Sequence, residues 1–163
     1  ALHRLDVVLT DRAAPPSGNL KVFSTALGEY ATGLFAAPEL AERYQPGFPA
    51  SLSGAPLLLP TRHNALRGRI DRWLENTNVR PKIVGEFEDS ALLTTFGRGG
   101  LGIFPAPLAL AGQIAKQLEA VPLGAMTGVS EHIYAISNER RIRHPAVEAL
   151  CAAAPQGMSE PRV

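Results

Sequence analysis

Residues Leu57–Phe104 read LLLPTRHNALRGRIDRWLENTNVRPKIVGEFEDSALLTTFGRGGLGIF. The pattern predicts a strand, an amphipathic helix, a second strand, a second helix, a glycine-rich turn and a third strand, in that order. Strands and helices that alternate at short spacing build one lobe of a layered α/β domain. The segment holds no group of residues typical of a catalytic site, so we look for its function in the binding of a ligand.

The helix that begins after Asn64 is the best defined of these elements. Its apolar side chains recur at i, i+4, i+7 and i+8 and predict one buried stripe: Leu66, Ile70, Trp73 and Leu74. The other faces are predicted to carry the charged side chains Arg67, Arg69, Arg72 and Glu75. Asn64 can cap the start of the helix, and Pro81 prevents its continuation.

The second helix of the segment follows a pair of capping candidates, Asp89 and Ser90. Leu92, Leu93 and Phe96 are predicted to point inward, and Gly97 is predicted to cap the carboxyl end.

Weaker signals place further elements on both sides of the segment. Strands are predicted at Leu5–Thr10, Leu20–Thr25, Ala31–Ala36 and Ser130–Ser137. Helices are predicted at Pro38–Tyr44, from Pro107 to about Leu118, and from Pro145 onward, with one helical turn near Ala50–Leu52. The last helix carries Val147, Leu150 and Cys151 on what reads as its apolar face.

The composition is that of an ordinary globular protein. Hydrophobic residues make up 45% of the 163 positions and charged residues 19%. The 16 basic and 15 acidic residues nearly cancel, so the charge balance gives no footprint for nucleic acid. The single cysteine excludes an internal disulfide and favours a reducing, cytoplasmic compartment. No apolar run in the sequence reaches membrane-spanning length.

Motifs for chemistry are weak throughout the sequence. The glycines of Gly97–Gly102 follow a helix and precede a strand, whereas phosphate-binding loops follow a strand and open a helix. Cys151 lies in an apolar helix pattern, where a structural thiol is the default. The four histidines are scattered singly and match no metal-binding spacing. We therefore predict that the chain is not an enzyme.

Two junctions between a strand and the following helix carry the candidate site residues. Ligands of open α/β sheets bind at the carboxyl ends of the strands. One junction holds Thr61, Arg62 and His63, and the other holds Glu86, Glu88 and Asp89. The alternative for the second junction is that Asp89 caps its helix while both glutamates face solvent. His63 and His132 are the candidates for sensing pH near neutrality.

Three segments together resemble the effector-binding domain of LysR-type transcriptional regulators. LDVVLTD (Leu5–Asp11) resembles the strand of that family in which Leu-Asp precedes hydrophobic residues. The segment from LLLPTR to FPAPLA resembles the second lobe of the domain, and ERRIRHPAVEALC (Glu139–Cys151) the return of the chain. Within the family, these stretches are similar to those of cation-responsive activators of sodium/proton antiporter genes.

The resemblance implies a periplasmic-binding-protein-like α/β fold with two lobes, in which a mixed sheet is flanked by helices. Residues 1–33 would end the first lobe, residues 34–131 would form the second lobe, and residues 132–163 would return to the first lobe and end in a tail. Members of the family begin with a winged helix-turn-helix that this chain lacks. We therefore expect an incomplete first lobe and no DNA binding by the chain alone.

The resemblance also implies an effector, bound between the lobes, and no catalytic cofactor. The effector would be a small cation, sodium or lithium, and it would need several oxygen ligands. The candidate effector-binding residues are Asp11, Thr61, Arg62, Glu86, Glu88 and Asp89. The resemblance further implies a homodimer, with DNA and RNA polymerase as partners only of the full-length protein and no membrane partner. A solute-binding protein of a transport system with the same fold is the alternative.

Overall fold

The computed structural model describes residues 8–10, 23–137 and 144–153. In chain order the strands are β1 (Val8–Thr10), β2 (Phe23–Ala36), β3 (Pro56–Pro60), β4 (Lys82–Phe87), β5 (Phe104–Pro107) and β6 (Val121–Ser137). The helices are α1 (Pro38–Tyr44), α2 (Ala65–Thr77), α3 (Ser90–Arg98), α4 (Ala111–Leu118) and α5 (Pro145–Ala152). Short 3₁₀ turns occupy Ala50–Leu52 and Leu108–Leu110. The predicted helical turn at Ala50–Leu52 is thus confirmed.

The two long strands differ from their prediction. Separate strands were expected at Leu20–Thr25 and Ala31–Ala36, whereas β2 is continuous from Phe23 to Ala36. Gly28 stays within the strand at φ 134°, a conformation open to glycine because it has no Cβ. The strand predicted at Ser130–Ser137 is present, but β6 already begins at Val121. Residues 20–22 lie outside the described part.

Two compact units divide the chain, one of Ala1–Tyr30 with Glu131–Val163 and the other of Ala31–Ser130. A four-stranded sheet in the order β1-β6-β2-β5 and a two-stranded sheet of β3 and β4 are present. In the unit Ala31–Ser130, β3 also bridges to the segment before β5, where Leu57 pairs in parallel with Ile103. The predicted mixed α/β architecture is therefore confirmed.

The unit Ala31–Ser130 buries apolar side chains in two clusters. Leu57 and Leu59 of β3 belong to the cluster that contains Ile70 and Trp73 of α2. Leu58 belongs to the second cluster, which also contains the following side chains of α3, β5 and α4: Leu93, Phe104 and Ile114. Successive residues of a strand point to opposite faces, so β3 is covered by α2 on one face and by α3 and α4 on the other. Because β3 and β4 are parallel and each is followed by a helix, α2 and α3 both start at the same end of these strands.

Helix α2 starts and ends with the caps that its sequence favours. The Asn64 side chain accepts a hydrogen bond from the Leu66 N–H at 2.8 Å, and Asn78 closes the helix in the left-handed conformation. All four residues of the predicted stripe are buried. The prediction for Arg67 was wrong, because this side chain lies inside the unit rather than on an outer face, and the whole residue is only 2% exposed.

Helix α3 differs from its prediction in the direction of its apolar side chains. Leu93 is buried as expected, but Leu92 is 51% and Phe96 44% exposed. Gly97, expected as the C-cap, is buried within the last turn, and the cap is Gly99. The reason is the close approach of α3 to Phe104: the face that packs is the one that carries Gly97, four residues after Leu93.

In the other unit, β1 pairs antiparallel with the end of β6, with Leu9 opposite Ala135. Helix α5 begins at Pro145 as predicted and buries Val147 and Leu150. Cys151 was expected on the apolar face and is instead exposed. Since one helical position separates it from Leu150, it lies about 100° away from the buried face.

Tyr30 ties β2 to α5 within this unit and makes one prediction possible. Its hydroxyl donates to the carbonyl oxygens of Leu27 at 3.0 Å and Leu150 at 2.9 Å. Burial, together with the charge of the nearby Cys151 when it is ionised, raises the pKa of Tyr30 to about 12. The pKa of Tyr30 in the folded chain lies above the ordinary value of 10.0. The contribution of Tyr30 to the free energy of unfolding is therefore complete below pH 10 and is lost as the pH rises towards 12.

Tyr30→Phe should therefore lower the free energy of unfolding at pH 7 by about 1 kcal/mol. It should also remove the decrease in the free energy of unfolding that the ionisation of Tyr30 causes between pH 10 and 12. Urea unfolding at pH 7 and pH 11 measures both effects. Tyr134→Phe in β6 is the control, since it removes neither of these hydrogen bonds. Equal losses in the two variants would contradict the prediction.

Candidate functional site

The carboxyl ends of β3 and β4 lie side by side because the two strands are parallel. Pro60 stands opposite Phe87 in the register, and the Thr61 N–H donates to the Phe87 carbonyl oxygen at 3.1 Å. Helices α2 and α3 begin a few residues beyond these strand ends. We call residues 60–64 together with residues 86–90 the strand-end edge.

The strand-end edge brings together the candidate residues of both junctions. Thr61 is half-buried, while Arg62, His63 and Glu88 are exposed. Asp89 caps α3, since its Oδ1 accepts a hydrogen bond from the Ala91 N–H at 2.7 Å. The capping role predicted for Asp89 is therefore confirmed.

Arg67 connects the strand-end edge to helix α2. Its Nη1 donates to the Pro60 carbonyl oxygen at 2.8 Å and to Glu86 Oε2 at 2.6 Å. Its Nε donates to Asp71 Oδ1 at 2.9 Å, one turn further along the helix. Burial by itself lowers the pKa of the guanidinium, but the hydrogen bonds and charges of Glu86 and Asp71 outweigh it, and the pKa is raised above its ordinary value. Arg67 is thus a fully ionised group with three partners.

Glu86 consequently differs from the solvated glutamate that the sequence suggested as one alternative. Its side chain is 44% exposed, yet its carboxylate accepts the hydrogen bond from Arg67. That hydrogen bond lowers the pKa of Glu86, and the charges of Arg67 and Arg62 act in the same direction. Glu86 therefore remains ionised at neutral pH.

Two further candidates, His132 and Asp11, are not part of the strand-end edge. His132 lies in β6, in the other unit, with an exposed side chain. Asp11 lies outside the described residues. Among the residues that the structure describes, no group of three or more His, Cys, Asp or Glu side chains is arranged to hold a metal ion. The effector-binding and pH-sensing roles predicted from the sequence, for the residues of the strand-end edge as well as for Asp11 and His132, remain predictions.

Arg67 is the residue that sequence reasoning missed. One signal was available: Arg67 precedes Ile70 by three positions and Leu74 by seven, the spacing of the buried face of α2. A second signal was Asp71 at i+4, which can neutralise a buried arginine. The contact with Glu86 could not be read from spacing, since it depends on how α2 packs on the two strands.

A family model for the LysR substrate-binding domain matches residues 2–159, nearly the whole chain. The chain belongs to this family. It is the effector-binding part of a LysR-type regulator, as the sequence resemblance implied. The alternative of a solute-binding transport protein is not favoured by this match.

LysR-type relatives and solved structures agree with the assignment. The chain is 32% identical over 149 residues to the transcriptional activator protein NhaR of Escherichia coli K12. The aligned residues make up 91% of this chain and 48% of the relative. The NhaR protein of Shigella flexneri matches equally. The chain thus spans about half the length of these curated relatives, which are transcriptional regulators.

Two solved effector domains show the same fold at lower identity. The effector domain of AmpR from Pseudomonas aeruginosa gives a TM-score of 0.53 at 22% identity, over 91% of this chain and 68% of that one. The regulatory domain of HypT from Salmonella typhimurium gives 0.54 at 18% identity, over 91% and 70%. The predicted fold class is confirmed. In the described part of the chain, no helix is both long and apolar enough to cross a membrane.

Proposed function

We propose that this LysR-type effector domain senses a small cation, sodium or lithium, for a transcriptional activator of the NhaR type. The 32% identity to NhaR over 91% of the chain is the observation that carries the proposal. The full-length protein would act in the cytoplasm as a homodimer, with DNA and RNA polymerase as its partners, and would catalyse no reaction. Effector binding would shift the population of the regulator's conformations.

The strand-end edge supplies the oxygen atoms that such an effector needs. Hard cations take several oxygen ligands from carboxylates, carbonyls and hydroxyls. Thr61, Glu88 and Asp89 carry such oxygens at this edge, and only one carboxylate oxygen of Asp89 is engaged in capping α3. A pH response through His63 or His132 would add to this binding. Thr61, Glu88 and Asp89 are the proposed contacts of the effector in the unit Ala31–Ser130.

The single tryptophan gives a direct test on the 163-residue chain. Trp73 lies in α2, is 7% exposed and stacks against Phe48 with ring centroids 6.1 Å apart. Sodium chloride, titrated against choline chloride at constant ionic strength, should change the Trp73 fluorescence with a saturable dependence. Glu88→Gln should weaken the apparent affinity roughly tenfold, as expected when a charged ligand is lost.

Glu75→Gln is the matched control, because this carboxylate lies on the exposed face of α2, away from the strand-end edge. It should leave the sodium titration unchanged. A response to choline as large as the response to sodium would remove the cation from the proposal. An unchanged titration in Glu88→Gln would remove Glu88 from the set of contacts.

A further inference from the structure

Arg67 is a buried charged side chain whose guanidinium donates hydrogen bonds to acceptors from three elements at once. Nε bonds Asp71 within α2, and Nη1 bonds both Pro60 at the end of β3 and Glu86 in β4. The side chain is 3% exposed, whereas the side chains of Asp71 and Glu86 are 45% and 44% exposed. The buried partner is therefore the cation, and both of its carboxylates lie at the surface.

Removing a partner from a buried charge costs far more than removing one from an exposed ion pair. A cationic effector that took Oε2 of Glu86 as a ligand would compete with Arg67 for one of its two carboxylates. It would also bind close to a guanidinium of the same sign, which lies 2.6 Å from Glu86 Oε2. Both effects disfavour the use of Glu86 as a cation ligand.

The geometry points to a different role for this pair. We propose that Arg67 is the positioning residue of the strand-end edge: it holds the ends of β3 and β4 in register through Pro60 and Glu86, and it commits Glu86 to that task. Thr61 and the segment Glu88–Asp89 are then presented to the effector from fixed strand ends. The positioning rests on the contacts alone, while the identity of the effector rests on the proposed function.

The first test uses no effector. The pKa of the Glu86 carboxyl, followed by NMR of its side-chain carbon, should rise from its lowered value towards the ordinary range in Arg67→Met. The Thr61 N–H bonds the Phe87 carbonyl oxygen across the two strand ends, and its hydrogen exchange should become roughly tenfold faster in both Arg67→Met and Glu86→Ala. Glu86→Ala leaves Arg67 with Asp71 and Pro60, so this variant keeps the test valid even if Arg67→Met unfolds.

Glu75→Ala serves as the control on the exposed face of α2 and should leave the Thr61 exchange rate unchanged. An unchanged Thr61 rate in Glu86→Ala would overturn the positioning role. So would an unchanged Glu86 pKa in a folded Arg67→Met.

The second test is the sodium titration of Trp73 fluorescence. The direction in which Arg67→Met changes the sodium affinity shows whether Glu86 is a partner of Arg67 or a ligand of the cation. If Arg67 positions the edge, Arg67→Met and Glu86→Ala should each weaken sodium binding by a similar factor, roughly tenfold, and the double variant should be no weaker than either. If Glu86 were a ligand for which Arg67 competes, Arg67→Met would tighten binding while Glu86→Ala weakened it. Tighter binding in Arg67→Met therefore contradicts the inference.

Failure of the proposed function has a separate signature. A wild-type chain that gives no sodium response, but shows the expected changes in Glu86 pKa and Thr61 exchange, would reject the cation as effector and keep Arg67 as the positioning residue. A normal sodium response without those changes would keep the cation as effector and reject Arg67 as the positioning residue.

Discussion

Ile70→Ala is expected to lower the free energy of unfolding by about 2–5 kcal/mol, the usual range for truncating a fully buried isoleucine. Ile70 has no exposed surface and lies at the centre of α2, in the cluster with Leu57, Leu59 and Trp73. Truncation would leave a cavity between the helix and β3 that close-packed neighbours fill only partly. Urea unfolding followed by far-UV circular dichroism measures the change.

Ile83→Ala is the matched control, because the same side chain is removed from β4, where it is 43% exposed. Its effect should remain below about 1 kcal/mol, since little apolar area leaves water there on folding. Comparable losses in the two variants would contradict the placement of Ile70 in a buried cluster and of Ile83 at the surface.

Gly97→Ala is expected to have the second large effect, a loss of about 1–3 kcal/mol through overpacking. A Cβ at this position would lie 2.3 Å from Cδ1 and 2.6 Å from Cε1 of Phe104. The Phe104 ring has no exposed surface and stacks on Phe35, with centroids 6.1 Å apart, so it has little room to move. Thermal and urea unfolding give the size of the loss.

Two further variants separate this clash from the general effect of alanine in a helix. Gly68→Ala in α2 meets nothing within 4 Å and should stabilise the chain by about 0.5–1 kcal/mol, because alanine favours helix. Phe104→Leu, combined with Gly97→Ala, should cost less than the sum of the two single losses, since removal of the ring relieves the clash. Strict additivity would show that the Phe104 contact is not the cause.

Local signals in the sequence were sufficient for the elements of the strand-end edge. Asn64 and Asp89 accept hydrogen bonds from the first turns of their helices, as predicted, because a capping bond spans only two residues. The apolar stripe of α2 is likewise a matter of spacing within one helix. The order of strands and helices carried the family resemblance, which the match over residues 2–159 confirms.

Sequence reasoning failed where a side chain's environment is set by a distant element. Leu92 and Phe96 were expected inside, and their exposure follows from the packing of Gly97 on Phe104. The continuity of β2 through Gly28 depends on a pairing strand, since glycine by itself favours a break.

The Leu57–Phe104 segment therefore determined by itself the succession of its elements and the N-caps of its two helices, whereas the family resemblance also drew on Leu5–Asp11 and Glu139–Cys151. The role of Arg67 emerged only from tertiary structure: a charged residue predicted for the surface became the buried link between α2 and the two strand ends. The physical reason is that a charge can be buried only where oppositely charged or hydrogen-bonding groups contact it. Pro60 and Glu86 are brought to Arg67 by the parallel packing of β3 and β4, which no local pattern encodes.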